Sequence, residues 1–280
     1  MMDPFVTSVN SELAALNWFG DLSENVSNIY TPGYREKEFL FSDYINGTMY
    51  RDDTFKTEQG KALPGRSPSN LFIDGKGYFV MRKPDGSLVY TRLGDFKYDA
   101  SGSLVSDSGY KVQGYMTDEK GNILNTGATQ NNPGGSPNNP NHTAGGPGHM
   151  PTTEINLWVD PSNGKYFGKY DEYKVKADGT VMGMANEGKT AVPLYKIALV
   201  NFPEAGAMYQ VDNYYFVPTA KSGQPVEGSG EIMSGLIEKS NTALRADANY
   251  LLLAKVQLDT TSKLISTNKQ LLSESLRLIQ

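Results

Sequence analysis

Residues 241–280 read NTALRADANYLLLAKVQLDTTSKLISTNKQLLSESLRLIQ, and this stretch decides the helical part of the fold. Apolar residues recur seven positions apart along it, at Leu244, Leu251, Leu258, Ile265, Leu272 and Ile279. Neither Pro nor Gly follows Gly235, so the pattern predicts one helix from Asn241 to the end, roughly 60 Å long at ~1.5 Å per residue. The second seam position of the heptad is mixed, because it holds Ala248, Lys255, Ser262, Lys269 and Leu276.

The amino-terminal segment carries a second helical pattern, from Asp3 to about Ile29. Spacings of three and four place one apolar stripe on one face, at Val9, Leu13, Leu16, Phe19, Leu22, Val26 and Ile29. Asn residues in the last turns and a Thr-Pro-Gly triplet are typical of a helix terminus. They predict a helix-ending turn made of Asn25, Asn28, Thr31, Pro32 and Gly33.

Between the two helical segments the pattern is that of antiparallel strands. Short runs of Val, Ile, Tyr, Phe and Leu are separated by turn dipeptides at Asp74-Gly75, Asp85-Gly86, Ser101-Gly102, Ser108-Gly109 and Asp178-Gly179. Such dipeptides between apolar runs predict hairpins, because the turn residues must tolerate positive φ. We expect an α+β fold with a discontinuous, coiled-coil-like helical domain from both chain ends and a central antiparallel β-domain, either a sandwich or a small barrel.

The predicted organisation has four parts. They are an amino-terminal helix of an axial core (1–33), an extended connector (34–68), a β-rich domain (69–235) and a carboxy-terminal helix of the same core (236–280). Within the β-rich domain, residues 126–153 are almost all Gly, Pro, Asn, Thr and Ser, which predicts a flexible loop.

The long carboxy-terminal stripe needs a partner, since six Leu and Ile side chains left in water forgo on the order of 10 kcal/mol. The amino-terminal stripe is only about half as long, so part of the longer stripe would remain for a neighbouring subunit. We therefore predict an assembly interface at Leu16, Val26, Ile29, Leu244, Leu251, Leu258, Ile265, Leu272 and Ile279. Periodicity alone supports equally an intramolecular helical hairpin that caps the β-domain.

Composition argues against several classes of function. The chain has no cysteine, which excludes disulfides and thiol catalysis, and its net charge is −5 without a basic face for nucleic acid. No run approaches the roughly 20 apolar residues that span a bilayer. The amino terminus lacks the basic and apolar regions of a secretory signal, so we expect a cytosolic protein or one exported without a cleaved signal.

The sequence predicts no catalytic, cofactor or metal site. The two histidines, His142 and His149, lie in the Gly- and Pro-rich loop, which cannot hold a base within ~3 Å of a nucleophile. Gly75-Lys76-Gly77 lacks the rest of a phosphate loop. The acidic pairs Asp52-Asp53 and Asp171-Glu172 would point to opposite faces of a strand.

Several motifs, in the same order along the chain, resemble those of the bacterial flagellar rod and hook proteins. ENVSNIYTPGYR (24–35) is similar to the signature N-N-x-A-N-x-x-T-x-G-[FY]-[KR], and LFIDGKGYFV (71–80) to its apolar-G-x-G-[FY]-F strand pair. The segments at 90–115, 199–225 and 234–241 (SGLIEKSN) also match. The last helix departs from the family's Q-R-A-[YF]-E motif, since the matching stretch is Lys255-Val256-Gln257-Leu258-Asp259.

This resemblance implies a structural subunit of the flagellar basal-body rod, of proximal or distal type, that forms a helical, torque-transmitting tube across the periplasm. It implies a homo-oligomer that also binds other rod and hook proteins and the flagellar export apparatus, with no enzymatic activity, nucleic acid or membrane insertion. The alternatives are a short hook-type subunit, or a non-enzymatic binding or cap module anchored by its helical hairpin. An enzyme is a more distant alternative.

Overall fold

The computed structural model describes residues 4–38, 54–123, 152–158, 170, 172–185, 190–212 and 214–279. The chain divides into two compact units. The helical unit comprises Met1–Tyr30, Arg35–Lys56 and Asn241–Gln280, and the β unit comprises Thr31–Tyr34 and Thr57–Ser240. Helices at the chain ends and antiparallel strands between them confirm the expected α+β class.

Among its described residues, the helical unit contains two long helices and one short strand pair. Its elements are α1 (Pro4–Ser27), β1 (Lys37–Glu38), β2 (Thr54–Phe55) and α2 (Leu244–Ile279). Proline suits the first position of α1, where its missing N–H would have no helical partner anyway. The Thr31-Pro32-Gly33 triplet follows the end of α1, as the sequence predicts.

The helix at the carboxy terminus starts later than expected. Residues 236–243 were expected to be helical, but Leu236–Glu238 form a strand that pairs with Ala62–Pro64, and α2 begins at Leu244. The segment 34–68 also differs from a purely extended connector, because its described part contributes three strands. Strands of two or three residues are too short to leave an alternating pattern in the sequence.

The regular structure in the described part of the β unit consists mainly of short antiparallel strands. They are β3 (Ala62–Pro64), β4 (Leu71–Asp74), β5 (Tyr78–Arg82), β6 (Leu88–Thr91), β7 (Phe96–Tyr98), β8 (Leu104–Ser106), β9 (Lys111–Met116), β10 (Thr153–Glu154), β11 (Glu172–Val175), β12 (Thr180–Ala185), β13 (Thr190–Ile197), β14 (Leu199–Asn201), β15 (Tyr209–Val211), β16 (Tyr215–Val217), β17 (Val226–Glu227), β18 (Glu231–Ser234) and β19 (Leu236–Glu238). A short 3₁₀ helix lies at Ala205–Ala207.

Strand pairing links most of the β unit into one sheet. Its main path runs β11-β12-β13-β9-β5-β6-β16-β15, while β18 pairs with β4 and β19 with β3. Four of the five predicted turn dipeptides join paired strands, at β5–β6, β7–β8, β8–β9 and β11–β12. Asp74-Gly75 was wrongly predicted as a hairpin, because β4 pairs with β18 rather than with β5.

One apolar cluster forms the core of the β unit. It includes the fully buried Leu71, Ile73, Phe79, Met81 and Val112, with Phe79 and Phe96 edge to face at 5.1 Å between ring centroids. Ile155 and Leu157, which follow β10, belong to the same cluster. Of the predicted loop 126–153, residues 126–151 lie outside the described part of the chain, and Thr153 is the first residue of β10.

Candidate functional site

The two helices pack against each other in antiparallel orientation. Three contacts fix the direction: Asn268 Nδ2 to Ser8 Oγ at 3.3 Å, Ser262 Oγ to Glu12 Oε1 at 2.6 Å, and Trp18 to Tyr250 at 6.4 Å between ring centroids. Residue numbers therefore rise along α1 while those of their partners fall along α2. Trp18 and Leu22 of α1 form an apolar cluster with Ala254 and Leu251 of α2.

The face of α2 that packs on α1 follows a heptad pattern. One row consists of the partly buried Leu251, Leu258 and Ile265, which the sequence predicted as a stripe. The second row holds the mostly buried Asp247, Ala254, Thr261 and Asn268. The predicted second row was wrong, because Ala248, Lys255, Ser262 and Lys269 are all exposed. The second row therefore lies three positions after the first rather than four.

The packed face of α1 differs from its predicted stripe. The buried residues are Ala15, Trp18, Asp21, Leu22 and Asn25. Leu13, Leu16 and Phe19 of the stripe are exposed instead. Leu13, Leu16 and Phe19 of the stripe therefore face away from α2, whereas Leu22 of the same stripe packs against it.

The residues predicted as an assembly interface occupy three environments. Leu251, Leu258 and Ile265 lie partly buried along the α1–α2 seam, and Val26 and Ile29 are also partly buried. Leu16, Leu244 and Leu272 are 51%, 47% and 54% exposed. Ile279 ends α2, and its side chain lies outside the described part of the structure. Their role in assembly remains a prediction.

Asn25 is the most constrained residue of the predicted helix-ending turn. It is fully buried, and its amide donates from Nδ2 to the Lys37 carbonyl at 3.1 Å while Oδ1 accepts from the Lys37 N–H at 3.0 Å. Lys37 also pairs through Nζ with Glu24 Oε2 at 2.7 Å. Asn28 donates to the Glu24 carbonyl in the last turn of α1 at 2.9 Å. The structure thus brings Asn25 to the chain that returns after the turn.

Asn241 plays the same part at the start of the carboxy-terminal segment. Its Oδ1 accepts from the Glu36 N–H at 2.7 Å, and its Nδ2 donates to the Lys56 carbonyl at 3.0 Å. Each of the two asparagines thus satisfies one backbone donor and one backbone acceptor. Sequence reasoning missed Asn241 as a site residue, although the Ser-Asn pair at 240–241 repeats the Ser-Asn pair at 27–28.

A buried charged cluster lies at the first turn of α2. Glu36 accepts from Lys56 Nζ at 2.5 Å and from the Ala243 N–H at 3.0 Å. Asp247 is 2% exposed, and its Oδ2 makes no hydrogen bond. Burial, and then the negative charge of Glu36, raise the pKa of Asp247 to about 6, although Lys56 opposes the shift. Burial would lower the pKa of Lys56, but its hydrogen bond and attraction to Glu36 raise it overall.

Within the β unit, Gly33 lies beside a buried ion pair. Arg92 Nε donates to Glu238 Oε2 at 2.7 Å, and both side chains are at most 3% exposed. The guanidinium also donates to the carbonyls of Ile73, Gly75 and Gly77, and Glu238 Oε1 accepts from the Gly60 N–H at 2.8 Å.

The Gly33 N–H donates to the carbonyl of Glu238 at 2.8 Å. Gly33 has φ +70°, and a Cβ there would lie 2.7 Å from the Leu93 backbone. Only glycine meets both conditions without strain, which explains the residue that ends the predicted turn. Thr31 and Pro32 of that turn are partly buried, and the Tyr34 N–H points to the Thr31 carbonyl at 3.4 Å.

Most of the remaining chemical candidates cannot be placed in the described part of the chain. His142, His149, Asp52, Asp53 and Asp171 lie outside the described residues. Gly75 and Gly77 instead supply carbonyls to Arg92. Within the described chain, no group of three His, Asp or Glu side chains could hold a metal ion. Neither described helix is long and apolar enough to cross a bilayer.

Residues 72–183, which span most of the central sheet, match the family described as the flagellar hook protein FlgE/F/G D1 domain. The flagellar basal-body rod protein FlgG of Caulobacter vibrioides is 25% identical over 288 residues, covering 92% of both chains. The FlgG of Buchnera aphidicola from Acyrthosiphon pisum is 22% identical over 283 residues, covering 90% of both. Over these spans the chain is similar to flagellar rod proteins.

A flagellar hook protein is also similar, over a shorter span. The FlgE of Brucella abortus is 34% identical over 123 residues, which is 40% of this chain. The match spans about a third of that hook protein, 31% of its length. The similarity to this hook protein therefore covers less than half of the chain, whereas the similarity to the rod proteins covers about nine-tenths of it.

Proposed function

We propose that this protein is a structural subunit of the bacterial flagellar basal-body rod, assembling into a helical tube that transmits torque. The observation that carries the proposal is the similarity to rod proteins over about nine-tenths of both chains. The shorter match to FlgE supports a hook-type subunit less strongly, because it leaves about two-thirds of that protein uncovered. No enzymatic role forms part of the proposal.

The helical unit would provide the axial core of the tube by coiled-coil-like packing, and the β unit, as a sandwich or small barrel, its outer layer. Exposed apolar residues on both helices support this role. Leu16, Leu244 and Leu272 remain about half exposed although α1 and α2 pack together. Burial of each such side chain against a neighbour is worth ~1.5–3 kcal/mol. Partners would be further copies, other rod and hook proteins, and the flagellar export apparatus.

The two asparagines supply the second element of the proposal. Asn25 and Asn241 hold the chain that flanks β1 and β2 against the ends of α1 and the start of α2. We infer that this arrangement fixes the direction in which the chain leaves the helical core. A fixed exit would give every subunit the same geometry, as a regular helical assembly needs.

The test uses exposed residues, so that assembly is changed without disturbing the folded subunit. Leu16→Asp and Leu272→Asp are introduced into the bacterium's own copy of the gene, with Lys120→Glu on the exposed β-unit surface as the control. We expect both Leu variants to be exported but absent from purified basal bodies, with motility lost. Normal incorporation and swimming of both variants would contradict the proposed interface.

A further inference from the structure

The carboxylate of Glu36 anchors the start of α2. Its Oε2 accepts from the Ala243 N–H at 3.0 Å, directly before the first residue of the helix, and its Oε1 accepts from Lys56 Nζ at 2.5 Å. Asn241 adds two further hydrogen bonds, since it accepts from the Glu36 N–H and donates to the Lys56 carbonyl. The start of α2 is therefore tied to the chain at β1 and β2 by polar contacts, with a negative charge at the helix amino terminus.

Asp247 brings a second carboxyl group to the same place. It lies in the first turn of α2, where its N–H donates to the Ala243 carbonyl at 3.1 Å. The residue is 2% exposed, and within the described chain nothing donates a hydrogen bond to its Oδ2. A buried carboxylate oxygen without a donor is costly, because the charged group loses its hydration and gains no partner in return. A bound proton removes the charge and most of that cost.

The charges at this site balance only when Asp247 is protonated. Glu36 and Lys56 are the charged groups that act on Asp247, and they pair with each other. The cluster is then neutral, whereas ionised Asp247 gives it a net negative charge in a buried position. Burial, and then the charge of Glu36, accordingly raise the pKa of Asp247 to about 6.

Other charged side chains lie on the elements that meet at this end of the helical unit. They are Asp21 and Glu24 of α1, Arg35, Lys37 and Glu38 of the chain at β1, and Arg245 of α2. Lys37 Nζ pairs with Asp21 at 3.8 Å and with Glu24 at 2.7 Å. The charge of Glu38 helps to raise the pKa of Lys56, which keeps that cation charged beside Glu36.

We propose that Asp247 is a proton-binding site that acts as a latch for the start of α2. With the proton bound, residues 241–247 stay docked on Glu36 and Lys56. When the proton passes to water, this turn opens and the Asp247 carboxylate becomes hydrated. Opening breaks the hydrogen bond from Ala243 to Glu36 and releases Asn241 from the chain at β1 and β2. The inference concerns a single subunit, so it does not depend on the proposed function.

The apolar seam beyond Asp247 limits how far the opening extends. The Trp18 and Tyr250 rings lie 6.4 Å apart between centroids, and Trp18 also packs with Leu251 and Ala254. This cluster begins about one helical turn after Asp247. Its stability comes from buried apolar surface, which does not change when a carboxyl group titrates. The latch therefore opens the first turn of α2 and leaves the rest of the seam packed.

Amide hydrogen exchange of the full chain, followed by nuclear magnetic resonance, tests the latch. The reporters are the amides of Glu36, Ala243 and Asp247, and the seam amides of Leu258 and Thr261 are the reference. We expect reporter protection, corrected for the intrinsic exchange rate, to fall about tenfold from about pH 5 to about pH 7.5. The open turn regains the ordinary pKa of 3.8, whereas the closed turn holds it at about 6. Protection of the reference amides should change much less.

Two variants and a titration complete the experiment. Asp247→Asn keeps the shape of the side chain and has no proton to lose, so its reporter amides should be equally protected at both pH values. Asp259→Asn, at an exposed position of the same helix, should keep the tenfold fall of the parent protein. The chemical shift of the Asp247 carboxyl carbon reports proton binding directly, and its midpoint should lie near 6 in the parent.

Three results would overturn the inference. The first is an Asp247 midpoint near its ordinary value, or reporter protection that does not change with pH. The second is a parallel fall in reporter and reference amides, because the helical unit would then loosen as a whole. The third is the same fall in Asp247→Asn, since another group would then bind the proton. None of these results would alter the similarity to rod proteins on which the proposed function rests.

Discussion

The side-chain amide of Asn25 hydrogen-bonds to both backbone polar groups of Lys37, as a neighbouring β-strand would. A helix side chain thereby takes the place of a strand partner for Lys37, the first residue of β1. The contact explains why an asparagine, which is a poor residue for a helix interior, is fully buried two positions before the end of α1.

Replacing Asn25 by Ala is expected to destabilise the helical unit by about 2–4 kcal/mol, because a buried N–H and a buried C=O each lose their partner. Asn28→Ala is the matched control, since its side chain donates to the Glu24 carbonyl within the same helical turn. The measurement is urea unfolding followed by circular dichroism at the helix signal. Equal losses of stability in the two variants would show that the hydrogen bonds from Asn25 to Lys37 add nothing beyond an ordinary contact within the helix.

Asp247→Asn is expected to stabilise the helical unit at neutral pH. The folded form raises the pKa of Asp247 to about 6, so it binds the proton more tightly than the unfolded chain does. The contribution of Asp247 to the free energy of unfolding is therefore most favourable below its ordinary pKa of 3.8. That favourable contribution is lost as the pH rises through about 6.

The free energy of unfolding of the Asp247→Asn variant should exceed that of the parent protein by about 1–3 kcal/mol at pH 7.5. The two values should be equal near pH 3.5. Glu36 and Lys56 are the charged groups that act on Asp247, and both are kept in the variant. Asp259→Asn, at an exposed position of the same helix, serves as the control. A stability difference that stayed constant with pH would show that protonation of Asp247 is not its source.

Arg92→Met is expected to destabilise the β unit by about 3–5 kcal/mol, because it leaves the Glu238 carboxylate buried without its cation. Three carbonyls would also lose a donor. Adding Glu238→Gln should recover part of the loss. Lys97→Met, which removes an exposed ion pair with Asp107, should change little. Near-ultraviolet circular dichroism during urea unfolding reports on the tyrosines of this unit.

Leu258 and Leu264 lie on different faces of α2. Leu258 is on the face that packs against α1, and Leu264 is on an exposed face. Leu258 is partly buried against α1, so Leu258→Ala should cost the isolated chain about 1–2 kcal/mol. Leu264 is 51% exposed, and Leu264→Ala should stay within about 0.5 kcal/mol. Thermal unfolding of the monomer measures both. If Leu264→Ala proved the more damaging variant, the assignment of faces would be reversed.

The sequence predicted the elements of the helical unit better than their contacts. The heptad from Leu251 to Ile265 located the seam of α2, but its second row was placed four positions on instead of three. Asp247, Thr261 and Asn268 occupy the true second row, and their polarity hides it from a search for apolar residues. On α1, the predicted stripe mixes two faces, because Leu22 packs against α2 whereas Leu13, Leu16 and Phe19 are exposed.

In the β unit, local turns were predictable and long-range pairing was not. Asp85-Gly86 joins the adjacent strands β5 and β6, because a two-residue turn leaves little choice of partner. Asp74-Gly75 has the same signal, yet β4 pairs with β18, more than 150 positions later. The ion pair of Arg92 with Glu238 spans 146 positions, and no local pattern marks it.

The discontinuity of the helical unit dictates the order in which the chain folds. Glu36 and Asn241 are 205 positions apart, and closing so long a loop in a disordered chain is entropically costly and slow. The pairing of β3 with β19 removes most of that loop, because it joins Pro64 to Leu236 and Lys61 to Lys239. We therefore expect β3 and β19 to pair before the two chain ends meet, because that pairing lowers the entropic cost of bringing them together. Under the proposed function, a chain whose central part is still unfolded would keep its ends apart and would not yet present the packed helices to a neighbouring copy.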